Sequence, residues 1–421
     1  MMPKSTFSRR TLLTALAGAG AAALAGCDPV RRPAAPTAAV PLPDPLLIEV
    51  DGALGVLRGT GRQTIRSAVA TADGRLIHAS EPAGADTALW RVEAVSGTAT
   101  DRVRLPGRWV PQTVSADGTI VALTTEKVSV TKERPPGRES TPVLIVNGDG
   151  VGRRLALPGN VVPEAFTSDH NGLFVLEWLP PNAPDRYRVR EVDLATGTAG
   201  PLGTRLKQPI PPGAEEEMRG DGRQAVLDQD RAVLYTLYTH QPDHRHTRDR
   251  ISGRPGSDVH AFVHTLHLEQ RWAYCVDLPH PFGEGPAEGH AMAITPDGSR
   301  LHVVDVTSGR VAEISTEELT VRRTASFVAS TGPAYAVAGA DRLFVAAGPA
   351  VWTADLEKLG SVAEWSVADP VCGLALSPAA DRLYVGQRAA VSWHDPAATG
   401  GELGRVTVPG LVGLRGPARS L

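Results

Sequence analysis

One short unit recurs along the chain and constrains the fold more than any other feature. It is a weakly apolar strand, a turn built on Asp, then a strongly apolar strand. The copies include Ala68-Val69-Ala70-Thr71-Ala72-Asp73-Gly74-Arg75-Leu76-Ile77 and Val114-Ser115-Ala116-Asp117-Gly118-Thr119-Ile120-Val121. The clearest is Ala293-Ile294-Thr295-Pro296-Asp297-Gly298-Ser299-Arg300-Leu301-His302-Val303-Val304. Others centre on Asp169, Asp228, Asp341 and Asp381. Asp-Gly and Asp-Arg supply the tight turn between two antiparallel strands.

Taking the first residue of the stronger strand as a marker gives positions 76, 120, 173, 232, 301, 343 and 383. Most units continue into a third strand and a polar turn, as in Val189 to Gly197, and then a short fourth strand closed by Pro-Gly. Val103-Arg104-Leu105-Pro106-Gly107 and Val406-Thr407-Val408-Pro409-Gly410 are examples. Four short antiparallel strands repeating every 40–50 residues or so is the habit of an all-β β-propeller. Seven units predict seven blades over residues 46–421. Leu46–Leu57 and Leu411–Leu414 read as extra strands at the two ends, so an eighth, shared blade is the alternative. A β-sandwich with further domains does not explain the sevenfold recurrence.

The Thr-Pro-Asp-Gly-Ser-Arg-Leu-His-Val-Val-Asp stretch at 295–305 resembles the Ser-Pro-Asp-Gly-x-x-Leu-Tyr-Val turns of YVTN-type and TolB-like propellers. The resemblance covers the turn region of each unit and implies the fold rather than an activity. The Gly-His and Trp-Asp pairs of WD40 blades are missing, as are sialidase Asp boxes and quinoprotein docking motifs.

The N-terminus reads as an export signal. Lys4, Arg9 and Arg10 precede about fifteen apolar or small residues, Thr11 to Ala25. That run is too short to span a hydrocarbon core of roughly 30 Å, so a cleaved signal is predicted rather than a transmembrane anchor. Ser8-Arg9-Arg10-Thr11-Leu12-Leu13 resembles a twin-arginine signal, with the general secretory route as the alternative. Leu24-Ala25-Gly26-Cys27 resembles a bacterial lipobox. The resemblance implies diacylation of Cys27 and anchorage to the outer face of the bacterial cell membrane. Residues 1–27 are thus read as a signal segment and 28–45, rich in Pro and Ala, as an extended tether.

Without its first 26 residues the chain carries 40 basic and 46 acidic residues, a net charge of −6 with His neutral. That mild balance gives no reason to expect nucleic acid as a partner. Cys275 and Cys372 remain beside Cys27, each in an apolar strand-like run, and both a disulfide and two buried thiols are compatible with the sequence. No Gly-x-Ser-x-Gly, His-Glu-x-x-His or phosphate-binding loop is present.

Residues 240–258 break the repeat. Nine of the twelve histidines lie between 240 and 302. In a propeller the loop between second and third strands shares a face with the loop leading to the next blade. The insertion is therefore predicted at the channel mouth, beside Pro279–Pro286. There His244, His246, His280 and His290 are candidate ligands, with Asp243 or Glu284, for Zn²⁺ or a similar ion. The competing reading is a solvated charged loop beside strand histidines. Glu215-Glu216-Glu217 falls in the inner-strand slot of the fourth unit, and Glu164, Glu215 and His290 align near one rim height. This reads either as an acidic, cation- or sugar-binding funnel or as Glu217 paired with Arg219 or Arg223 and the other acids hydrated at the rim.

Two functions follow. The first is a lipid-anchored ligand-binding or protein-interaction module, with no cofactor expected and its partner unspecified. The second is a metal-assisted lyase or hydrolase acting on a carbohydrate or lactone. A role in envelope assembly rests on fold analogy alone.

Overall fold

The computed structural model describes residues 40–420 apart from residues 101, 129–133, 149, 151, 220–221, 242–243, 257–258 and 398–399. The signal segment with Arg9, Arg10, Leu24, Ala25, Gly26 and Cys27, most of the tether, and Asp243 lie outside the described residues. No described helix is long and apolar enough to cross a membrane.

The chain forms eight four-stranded antiparallel blades, where the sequence predicts seven. Blades 2 to 8 follow the repeat in chain order, starting at Ala68, Val110, Asn160, Gly222, His290, Ala334 and Val371. Blade 1 joins both ends of the chain. Its outer three strands are Leu42–Val50, Ala53–Gly59 and Gly61–Ile65, and its inner strand is Leu411–Pro417. The missed blade has a simple cause. Each counted unit is marked by the turn between first and second strands. In blade 1 that turn does not exist, because the chain's two ends meet there.

The turn is a hydrogen-bonded device. In five blades a buried Ser or Thr hydroxyl donates to the turn Asp, at 2.6 Å from Thr71, Ser115, Thr167 and Thr295 and 2.7 Å from Ser377. The same hydroxyl accepts the backbone N–H five residues on, at 3.1 Å from Leu76 and Ile120 and 2.8 Å from Gly172. The hydroxyl thus joins both arms of the hairpin, while the carboxylate accepts backbone N–H groups of the turn, as at Ser299. Gly74 adopts φ 72°, and a Cβ there would stand 2.5 Å from Pro417 O. The turn of blade 2 can therefore lie against the closing strand.

Second strands are buried on both faces; every residue of Val233–Thr239 is buried. Outer strands alternate with solvent, as in Thr320–Ser326. The core consists of apolar layers between neighbouring blades. At the seam Leu42, Leu46, Ile48, Val50 and Leu57 pack with Ala375, Tyr384, Trp393, Leu411 and Leu414. Leu46 pairs with Pro417, Ile48 with Leu414 and Val50 with Leu411. Ala418 N–H donates to Pro45 O at 2.8 Å and Arg419 N–H to Gly74 O at 3.0 Å.

Two parts of blades 4 and 5 depart from the regular plan. Gly203–Thr204 adds a short parallel strand to the outer edge of blade 5. The insertion links the second and third strands of blade 5 and contains a short helix, Thr247–Ser252, closed by Gly253 in the left-handed conformation at φ 67°.

Removing residues 411–421 strips blade 1 of its inner strand and uncovers the layer against blade 8. The shortened protein is expected to lose its cooperative thermal melt; an unchanged melting temperature would show that the seam does not hold the ring. A second expectation concerns acid. Hydrogen bonds from Thr295 and then Ser299 push the Asp297 carboxyl down to about 2, below its ordinary value near 4. A depressed folded pKa stabilises above the unfolded value and loses that contribution as pH falls through the folded one. Asp297→Asn should therefore lower the melting temperature at pH 7 and converge with the parent as pH drops from about 4 to 2. A constant gap across that range would contradict the assignment.

Candidate functional site

The three consecutive acids divide by strand alternation. Met218 and Tyr187 exchange backbone hydrogen bonds of 2.8 and 3.0 Å, which lays residues 215–218 beside the third strand of blade 4, Arg186–Asp193. This is not the inner-strand slot. Neighbouring side chains along an extended segment point to opposite sides. Glu217 pairs with Arg186 at 2.9 Å. Glu215 takes a two-pronged contact from Arg190, at 3.0 and 3.1 Å, and one from Arg188 at 3.1 Å. Glu216 points the other way, toward the insertion.

Glu216 Oε1 lies 2.8 Å from His244 Nε2, 3.1 Å from His246 Nδ1 and 3.0 Å from Cys275 Sγ. The two histidine side chains are 2% and 1% exposed and that of Glu216 14%. His244 stacks on Phe262 with ring centroids 4.5 Å apart. The outer nitrogen of His246, Nε2, meets Asp277 Oδ1 at 2.5 Å, and Arg248 holds the other Asp277 oxygen at 2.8 Å. Arg248 also donates to Cys275 O at 2.8 Å. Segments distant in sequence thus converge: the linker between Thr204 and Gly222 supplies Glu216, the insertion His244 and His246, and the fourth strand of blade 5 Cys275 and Asp277.

The charges are strongly coupled. Burial disfavours the Glu216 carboxylate, yet hydrogen bonds from His244 and His246 hold it well below the ordinary carboxylate range. Burial likewise opposes the His246 imidazolium, but Asp277 and then Glu216 push its pKa up to about 9. Burial and the nearby Glu216 push the Cys275 thiol up. Without an ion, the cluster is a protonated His246 held between two carboxylates.

Donor atoms of Glu216, His244 and His246 lie within 4.8 Å of one another, as a metal site requires. His280 sits apart from them, in an exposed group with His260 and Glu284; its Nδ1 is 2.5 Å from Glu284 Oε1. His290 is in neither group. It begins the inner strand of blade 6, fully buried, where Nε2 accepts Gly283 N–H at 3.0 Å and Nδ1 donates to Pro286 O at 3.1 Å. Burial pushes its pKa down, so it is a neutral tie between a loop and a strand. Glu164 is half-buried on the inner strand of blade 4, where the pairing register skips between Pro163 and Ala165.

Beside the cluster lies a cavity of about 520 Å³, lined by Glu216, His246 and Cys275 and by residues of the linker, the short helix and the outer half of blades 4 and 5. Since Val189, His264 and Tyr274 of third and fourth strands line it, the cavity belongs to the space between two blades rather than to the central channel. Cys275 and Cys372 are both free thiols. Sequence analysis names Glu216 only within the run of three acids and Cys275 only as a buried or bridged thiol, and it does not single out Asp277. Alternation could have singled out Glu216, had the partner of residues 215–218 been known.

No protein-family model and no curated protein matches the sequence. Solved structures match its shape. Apo AztD from Citrobacter koseri aligns over 88% of this chain and 96% of its own at 11% identity, with a TM-score of 0.51. Dihydro-heme d1 dehydrogenase NirN, in complex with DHE, aligns over 90% of this chain and 76% of its own at 12% identity, with a TM-score of 0.53. At these identities the likeness is one of fold: the chain is a β-propeller.

Proposed function

We propose that the protein is a metal-binding β-propeller, exported and lipid-anchored through Cys27, that holds a Zn²⁺-like ion between Glu216, His244 and His246. The observation that carries this reading is the convergence of two buried imidazole nitrogens on one carboxylate oxygen, at 2.8 and 3.1 Å. Two imidazoles and a carboxylate suit a borderline ion such as Zn²⁺, whose bonds to such donors are about 2 Å long. The outer support matches as well. A metal-bound imidazole commonly donates its other N–H to a carboxylate, the position Asp277 takes on His246, and Arg248 fixes Asp277 in turn.

A binding module accounts for the site better than the lyase or hydrolase alternative. The adjoining cavity has a largely apolar wall, with Val189, Leu202, Leu206, Ile210, Met218 and Ile251 outweighing the hydroxyl and amide groups of Thr204, Gln208, Thr247 and Ser252 that a polyhydroxylated sugar would need. The lipid anchor is supported by Leu24-Ala25-Gly26-Cys27, and the tether would hold the ring near the membrane surface.

Purified full-length protein loaded with Zn²⁺ and desalted should retain one tightly held equivalent, and metal should raise its melting temperature. A ligand at 100 times its dissociation constant adds about 2.7 kcal/mol of stability. Glu216→Gln and the double variant His244→Ala/His246→Ala should lose both effects. Asp277→Asn should weaken binding by about 10–100-fold, and His280→Ala should leave the tight equivalent in place. A parent protein that retains no metal and shows no metal-dependent melting shift would overturn the proposal.

A further inference from the structure

The metal cluster opens on far more space than an ion needs. Glu216, His246 and Cys275 line one part of the 520 Å³ cavity, while His244 does not. The space is of the size that small organic ligands occupy. Three protein donors leave at least one coordination position on a tetrahedral ion, and three of the cluster's residues border the cavity.

Much of the remaining lining is apolar. Leu202, Leu206, Ile210, Met218 and Ile251 contribute apolar surface from the linker and the short helix. Two of them stand out on the protein surface: Leu206 is 78% exposed and Ile251 42%. Large apolar side chains left in water around a cavity are what an apolar occupant would cover. The charged groups at the cavity are already engaged. Arg248 holds Asp277 and Cys275 O, Arg205 donates to the carbonyls of Glu317 and Glu318, and Glu215 is clamped by Arg188 and Arg190. A ligand therefore meets the ion as its charged anchoring point and a largely apolar wall, interrupted by the uncharged side chains of Thr204, Gln208, Thr247, Ser252 and Tyr274.

We infer that the ion's open position is filled by a small organic molecule with an apolar body and one metal-coordinating head, seated between the linker and the short helix of the insertion. This rests on the reading of Glu216, His244 and His246 as metal ligands. The protein would then hold a ternary complex of ion and amphipathic ligand, with the insertion supplying both the imidazoles and one wall of the pocket. Coordination of the head displaces a bound water from the ion and breaks no covalent bond.

The test uses full-length protein loaded with Co²⁺, whose visible spectrum reports its ligands. Two probes share one head and differ in body: octanohydroxamate and acetohydroxamate. Octanohydroxamate should change the cobalt spectrum at a concentration at least about tenfold lower than acetohydroxamate, since each buried methylene favours binding. The double variant Leu206→Asp/Ile251→Arg alters two exposed positions, so it should fold and keep its cobalt, yet lose the preference for the longer probe. Equal response to both probes, or none to either, with cobalt bound would overturn the ternary complex and leave the metal site standing. Retention of the chain-length preference in the double variant would overturn the assigned walls. Failure to bind cobalt at all would overturn the metal reading and this inference with it.

Discussion

Closure of the ring by pairing Leu411–Pro417 with Leu42–Val50 is the constraint on which the rest depends. A propeller blade buries its faces only against its neighbours, so one open seam exposes two apolar layers. Here the seam is sealed by strand pairing, by the Leu46, Ile48 and Leu414 layer, and by the tight approach at Gly373. That residue adopts φ 153°, and a Cβ on it would meet Leu414 O at 2.4 Å. No disulfide contributes, since Cys275 and Cys372 are free. A closed ring holds blades 4 and 5 at a fixed angle. That fixed geometry lets Glu216, His244, His246, Cys275 and Asp277, from three separate segments, meet within hydrogen-bond distance.

On the proposed reading the cluster holds either protons or an ion. Without an ion, the Glu216 carboxylate gathers contacts on Oε1 from His244, His246 and Cys275, and His246 is held as a cation by two carboxylates. Such a set is expensive to bury unless every group is paired, and here the pairing is complete around Glu216. On that reading a divalent ion among the same donors would take over the positive role of the imidazolium, with Asp277 and Arg248 on the far side of His246.

Much of the architecture was legible in the sequence, and its failures are instructive. The seven Asp turns reveal seven blades because each closes a local hairpin. The eighth is hidden because its strands are more than three hundred residues apart and share no turn. The insertion and its histidines stood out by composition, and His244 and His246 do meet at a site. Which of three adjacent acids joins them was not legible. That depends on the bridge between Met218 and Tyr187, a contact between segments that no local pattern encodes. His280 and His290 share composition with the site but belong to other loops. Cys275 and Asp277 looked like ordinary strand residues, since their partners come from the insertion.

X-ray absorption on the zinc-loaded full-length protein tests the central claim most directly. The account predicts an ion with two imidazole ligands and a carboxylate oxygen at about 2 Å, and loss of the imidazole scattering in the His244→Ala/His246→Ala variant. A shell of oxygen atoms alone, or imidazole scattering that survives that double substitution, would contradict it.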